Sequence, residues 1–197
     1  MQALSNKWDQ IYSTADKTQI TPAQVLVENA FLLPKTGLAL DLACGLGANA
    51  MFLAKQGLKV MAWDISSVAI SWLASQALAQ GLPVEASVKA VELLKLEKPC
   101  FDVVIIGRFL DRTLKDAIIG ALKDGGLLFY QTYTFDKTSQ RGPNNPAYLL
   151  ADNELLELFS PLKVLFYREN GQIGNSNQGL RGEAQFIGQK RICGKAL

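Results

Sequence analysis

Short apolar, β-branched runs alternate along this chain with stretches whose apolar positions recur at helical spacing. The runs "LALDLAC" (38–44), "KVMAWDI" (59–65), a weaker 84–90, "FDVVIIG" (101–107), "LLFYQTYT" (127–134), "KVLFYRE" (163–169) and "EAQFIGQKR" (183–191) predict seven strands. Helices are expected over most of 1–33, from "ANAMFLAKQG" to a stop at Gly57, from Ser66 or Ser67 to Gly81, from Arg112 to Lys123, and at "NELLELF". Thr21 suits an N-cap, with Pro22 at the first helical position. Strand–helix alternation of this kind calls for a parallel sheet with crossover helices on its two faces. The fourth run is nearly all apolar, as a central strand buried on both faces should be. The last two strands have no helix between them, which predicts a hairpin at one sheet edge and an antiparallel C-terminal strand. Residues 135–151 form a long polar connection, a length often tied to function.

Composition narrows the classes without changing that picture. At 197 residues the expectation is one domain, with a helical lid segment over 1–33 and an α/β core over 37–197. Net charge is only +2, and the only basic grouping is Lys190, Arg191 and Lys195, read as a solvated tail, so no nucleic-acid partner is expected. No apolar stretch approaches about 18 residues and the first ten lack a leader's apolar core, so a cytoplasmic protein with no membrane partner is expected. Cys44, Cys100 and Cys193 are too scattered for a disulfide framework. There is no histidine. That removes Ser-His-Asp and Cys-His catalysis and the usual zinc sites, so no metal is expected and any base must come from Asp, Glu, Lys, Tyr or Cys.

The candidate chemistry lies in "LALDLACGLGANA". Gly45 and Gly47 follow a strand, open a helix, and let the backbone turn sharply beside a ligand. Asp64 ends the second strand 19 residues after Gly45, where a carboxylate can accept both hydroxyls of a ribose. Gly45-x-Gly47-x-x-Ala50 also satisfies the dinucleotide fingerprint. Asp41 argues against NAD, because a carboxylate beside a diphosphate is repulsive, whereas beside an ammonium or sulfonium group it is favourable.

"LDLACGLGANA" resembles motif I of the class I S-adenosylmethionine-dependent methyltransferases. The resemblance extends over "NKWDQIY", "VMAWDIS", "FDVVIIGRFLDRTL" and "ALKDGGLLFYQTY". The stretch "GPNNPAYLLADNELLELF" is similar to a segment of the tellurite-resistance (TehB-type) group. The fold implied is a Rossmann-like three-layer α/β/α sandwich around a mostly parallel seven-stranded sheet. The resemblance implies S-adenosylmethionine as cofactor, with Asp41 near its methionine moiety and Ala43, Cys44, Gly45 and Gly47 along its path. It implies Asp64 on the ribose, Ile65 against the adenine, Glu92 with Leu93 at the adenine edge, and Arg108 after the fourth strand. Trp8 and Tyr12, four apart on one helix face, are expected either to cover the cofactor as a lid or to pack an N-terminal helix on the sheet. Cys44 reads as a small residue in a tight turn.

Phe109, Tyr133 and Arg141 are candidates for the acceptor side, the last two because they lie past a strand's C-terminal end. Asp111 stands where this group tends to have His, so Asp111 and Tyr133 are the candidate proton acceptors. A methyl transfer from an activated donor depends mainly on alignment. The missing histidine fits a small acceptor that is soft or already ionised, such as a thiol or a metalloid oxyanion. A cofactor-binding regulatory module without turnover and an NAD-dependent oxidoreductase are the competing expectations.

Overall fold

The computed structural model describes residues 2–91 and 100–192. Its strands are β1 (Leu38–Leu42), β2 (Lys59–Asp64), β3 (Val84–Val88), β4 (Phe101–Gly107), β5 (Leu122–Tyr133), β6 (Lys163–Glu169) and β7 (Glu183–Gln189). They form one sheet in the order β3-β2-β1-β4-β5-β7-β6. Strands β1 to β5 pair in parallel, while β7 lies antiparallel between β5 and β6. The expected Rossmann-like arrangement with an antiparallel C-terminal strand is therefore the one observed.

Helices α1 (Gln2–Thr14), α2 (Gln24–Glu28), α3 (Ala48–Lys55), α4 (Ser67–Ala79), α5 (Lys115–Ala121) and α6 (Glu154–Leu158) accompany the sheet. Strand alternation divides its apolar residues between two cores. Leu40, Leu42, Val104, Ile106, Leu128 and Tyr130 pack with Ile118 of α5 and Leu155 of α6. Ala39, Val103, Ile105 and Phe129 pack with α2, with Leu53 of α3 and with Leu73 of α4. Asp41 shares the second face with Ala39, which aims its carboxylate at the start of α3.

Three local expectations need correction. The N-terminal stretch is not one helix but α1 and α2, with 3-10 turns at Lys17–Gln19 and Ala30–Leu32. Thr21 and Pro22 lie outside α2, whose N-cap is Ala23 without a side-chain cap. The free amides there find tertiary partners instead: Ala23 N–H donates to Asn49 Oδ1 at 2.8 Å, and Val25 N–H to Gln131 Oε1 at 2.9 Å. The stretch from Arg112 is a 3-10 turn followed by α5, which stops at Ala121. Gly125-Gly126 does not precede β5 but sits within it, at a register shift between Phe101 and Val103 where extra residues bulge out. Ser66 caps α4, accepting the Ala69 N–H at 3.2 Å. No helix of the described residues is long and apolar enough to cross a membrane.

Candidate functional site

The loop between β1 and α3 packs three left-handed residues into five: Ala43 (φ 56°), Gly45 (φ 52°) and Gly47 (φ 79°). A side chain in that region is costly, so Ala43 marks a turn that the surroundings enforce. Those surroundings are polar. Cys44 N–H donates to the Trp63 carbonyl at 2.9 Å, and Gly47 N–H to the Cys44 carbonyl at 2.9 Å. Gly45 N–H donates to Asp64 Oδ2 at 2.8 Å, while Asp64 Oδ1 accepts Ser66 N–H at 2.9 Å. Asp64 thus ties the end of β2 to the turn after β1.

The two glycines serve different ends. A Cβ on Gly47 would stand 2.3 Å from Leu73 Cδ1, so this glycine lets α4 pack against the loop. A Cβ on Gly45 would meet the Tyr12 hydroxyl at 2.9 Å, so this glycine faces the cleft.

Asp41 is fully buried. Its Oδ2 accepts the Ala50 N–H at 2.9 Å, and its Oδ1 has no hydrogen-bond partner. Burial pushes its carboxyl up to about 7, against the pull of the Ala50 amide and the Asn49 side chain. Asp64 is raised in the same direction, chiefly by burial, against the Ser66 and Gly45 amides. No ion pair engages either carboxylate among the described residues. Burial also pushes the Cys44 thiol up, which leaves it neutral rather than an activated nucleophile.

Helix α1 covers this loop. Asp9 binds the start of α4, taking the Ser66 hydroxyl at 2.5 Å and the Val68 N–H at 3.2 Å. These bonds hold its carboxyl below the ordinary range. Ser5 Oγ donates to the Ile65 carbonyl at 3.1 Å. Trp8 and Tyr12 stack with ring centroids 5.6 Å apart. Tyr12 reaches Gly45, and burial together with the nearby charges of Asp64 and Asp41 raises its phenol far above the usual value. No residue of α1 is itself buried, so the helix is held by a few polar contacts and two rings. Elements anchored that lightly open at low cost.

A second cluster sits at the carboxyl ends of β4 and β5 and the amino end of the antiparallel β7. Arg108 follows β4 in the left-handed region (φ 55°), its N–H donating to the Gln131 carbonyl at 2.7 Å. Its Nε lies 3.6 Å from Oε1 of Glu183, whose side chain is 3% exposed. Glu183 Oε2 accepts the Gln131 amide at 2.6 Å, and Gln131 Oε1 accepts the Gln185 amide at 2.9 Å. Tyr133, Thr138, Ser139, Arg141 and Glu183 line a cavity of about 20 Å³. Tyr133 and Arg141, both expected on the acceptor side, are thereby brought together.

Arg112 closes the long connection over this end. Its Nε and Nη2 bind Glu154 at 2.5 and 2.8 Å, and Nη1 and Nη2 donate to the carbonyls of Ala147 and Leu149, each at 2.9 Å. The neighbouring Asp111 Oδ1 accepts Thr113 N–H at 2.9 Å and Thr113 Oγ at 2.6 Å, capping the 3-10 turn. Phe109 packs toward the α5 side and its carbonyl accepts the Tyr130 hydroxyl at 3.0 Å. Ile65 follows β2 and is half-buried, its carbonyl bonded by Ser5 of α1. Glu92 and Leu93 lie outside the described residues.

Glu183 and Gln131 were absent from the sequence-based candidates. Their only trace in the chain is a polar residue next to the apolar runs of two strands. Gln131 and Glu183 lie 52 residues apart, and nothing local announces their contact.

Residues 39–126 match the family model of a methyltransferase domain. A ubiquinone biosynthesis O-methyltransferase of Xylella fastidiosa is 33% identical over 99 residues, which span 47% of this chain and 40% of that protein. The chain thus aligns with less than half the length of this curated relative. Among solved structures, TehB from Haemophilus influenzae superposes with a TM-score of 0.70 at 20% identity, over 93% of this chain and 67% of that one. A structure described for the conversion of a disulfide bond into a thioacetal group during echinomycin biosynthesis superposes with a TM-score of 0.74 at 21% identity, over 98% of this chain and 93% of that one. At such identities the likeness establishes the fold alone.

Proposed function

We propose that this chain, whose residues 39–126 carry a methyltransferase domain, binds S-adenosylmethionine at the β1–α3 loop and methylates a small acceptor. The observation that carries this reading is the pair of buried carboxylates, Asp41 and Asp64, with no cation paired to either. Asp41 keeps one buried oxygen without a hydrogen bond. A cationic ligand relieves that arrangement and an anionic diphosphate aggravates it, so the donor set suits S-adenosylmethionine and not NAD.

The bound cofactor would supply a methyl group already activated on a sulfonium. The protein's share is to bind, orient and exclude water. Asp64, at the end of β2, would exchange backbone bonds for the ribose hydroxyls, with Ile65 against the adenine. Asp41 would act through α3 and through its charge on the methionine end. Gly45 leaves room beside the backbone, and Trp8 and Tyr12 close over it from α1.

The acceptor we favour is a soft nucleophile, a thiol or a metalloid oxyanion. Of the candidate proton acceptors, Asp111 is occupied by capping a turn, and two further ionisable groups beside the loop, Tyr12 and Cys44, are held protonated by burial. A nucleophile that needs no strong base fits such a site. Small size follows from the closure of the cleft by α1 on one side and the Arg112-pinned connection on the other. Calorimetry with S-adenosylhomocysteine, followed by a tritiated-methyl transfer assay over small thiols and oxyanions, tests the proposal. Binding with transfer to an acceptor supports it. Binding with no transfer returns the regulatory-module reading, and preferential binding of NAD overturns both.

A further inference from the structure

The Arg108–Glu183 cluster is not needed to hold the cofactor as proposed above. Its composition is unusual for a sheet end. Glu183 is a buried carboxylate at the start of β7, fixed on one oxygen by Gln131, which is itself fixed by Val25 N–H and Gln185. The bond from Gln131 ties one oxygen of the carboxylate and leaves the other for Arg108. What it faces is the Nε edge of Arg108, a residue held in a backbone region that long side chains avoid. Strain retained beside a braced carboxylate is the signature of a side chain whose direction matters.

The Arg108 side chain is 41% exposed, and among the described residues no hydrogen bond is made by its terminal nitrogens. They remain as a planar fork, the geometry that receives a carboxylate or other oxyanion. The neighbouring cavity, also lined by Glu183, adds Lys137, Arg141 and Arg181. Arg181 and Lys137 are engaged by loop carbonyls, whereas the Arg141 guanidinium makes no hydrogen bond among the described residues. Three further cations thus line the cavity that Glu183 shares, beside the Arg108–Glu183 pair.

We infer that the methyl acceptor carries an anionic group, a carboxylate or equivalent oxyanion, which the terminal nitrogens of Arg108 receive while Glu183 positions that arginine. This rests on the methyltransferase reading for the word acceptor, but the anion site stands on its own geometry. It moves Arg108 from the cofactor, where the family resemblance put it, to the acceptor. Glu183 is a positioning residue that touches no substrate.

The test uses the whole chain saturated with S-adenosylhomocysteine and three thiols of similar size: 3-mercaptopropionate, 2-mercaptoethanol and cysteamine. Calorimetry is expected to show 3-mercaptopropionate binding at least tenfold more tightly than the neutral and cationic thiols, a preference that falls as salt rises. Arg108→Gln is expected to erase it while leaving S-adenosylhomocysteine affinity unchanged. Glu183→Gln is expected to weaken it less, because Arg108 keeps its charge and loses only its brace. Equal binding of the three thiols, or a preference that survives Arg108→Gln, overturns the inference. Loss of S-adenosylhomocysteine affinity in Arg108→Gln also overturns it, because the arginine then serves the cofactor. An anion preference without methyl transfer to any of the three, with S-adenosylmethionine supplied, counts against the transfer reading and leaves the anion site intact.

Discussion

The Tyr12 hydroxyl stands 2.9 Å from the point where a Cβ on Gly45 would sit, so the first helix closes directly onto the backbone of the β1–α3 loop. A ligand lying against Gly45 must displace that phenol or slide beneath it. As a lid, helix α1 would have its closed position defined by one glycine and one tyrosine. Tyr12→Ala is expected to speed both entry and release of S-adenosylhomocysteine while changing thermal stability little, since α1 buries no residue of its own. Stopped-flow binding kinetics check this. Unchanged association and dissociation rates would remove the lid from the account.

Gly47 and Gly45 look alike in the sequence and should behave differently when changed. Gly47→Ala pushes a methyl group into Leu73 at a left-handed position, and roughly 2–4 kcal/mol of stability should be lost. Gly45→Ala meets only the end of the Tyr12 side chain, and its main cost is about 1–2 kcal/mol of backbone strain together with a lid that no longer closes. Denaturant melts of the two variants, side by side, distinguish them. Equal losses would mean that the assignment of one glycine to packing and the other to the cleft is wrong.

Asp41 gives the site a pH dependence. Burial raises its folded carboxyl from 3.8 to about 7, so the folded state binds more protons than the unfolded chain between those values. Stability from this residue is therefore lost as pH rises from about 4 to about 7, and is level above that. A ligand that brings its α-ammonium toward Asp41 favours the ionised form, so affinity should rise over the upper part of the same window. Asp41→Asn keeps an acceptor for the Ala50 N–H but cannot ionise. Its stability relative to the parent should improve between pH 5 and 8, and the pH dependence of S-adenosylhomocysteine binding should flatten. A constant difference in melting temperature across that range would contradict the assignment.

Asp111 separates two readings of the end of β4. Its Oδ1 caps the turn that begins at Arg112, and the amide of Asn can do the same. Asp111→Asn should therefore leave stability within about 1 kcal/mol and, for a soft acceptor, leave kcat near the parent value. A fall in kcat of a hundredfold or more, with affinity intact, would instead identify Asp111 as a proton acceptor.

How much of this was legible beforehand depends on the range over which each interaction acts. The strand carrying Val103 to Ile106 is buried on both faces, so its residues had to be apolar and its position was plain. The β1–α3 turn was legible because strand, glycines and helix follow one another within a dozen residues. The start of α2 was not, because its amides are satisfied by Asn49 and Gln131 rather than by Thr21. Gly125-Gly126 read as a turn because the sequence does not show that β4 continues alongside and absorbs the pair as a bulge.

The site divides in the same way. Asp41, Gly45 and Asp64 announced themselves through local spacing, and the fold brings them together. Glu183 did not, because its meaning comes from Gln131 and Arg108, which are remote in sequence and adjacent only after β7 inserts beside β5. Long-range polar contacts of this kind leave no periodicity to read.

The central claim, a cationic-cofactor site built on the β1–α3 loop, is tested most directly by isothermal titration of S-adenosylhomocysteine into the parent chain and into Asp64→Ala, with NAD as the competing ligand. The parent should bind S-adenosylhomocysteine and not NAD. Loss of the charge-assisted bonds at Asp64 should weaken binding by roughly 1.5–3 kcal/mol, about ten- to a hundredfold. Binding of NAD in preference, or an unchanged affinity in folded Asp64→Ala, would contradict it.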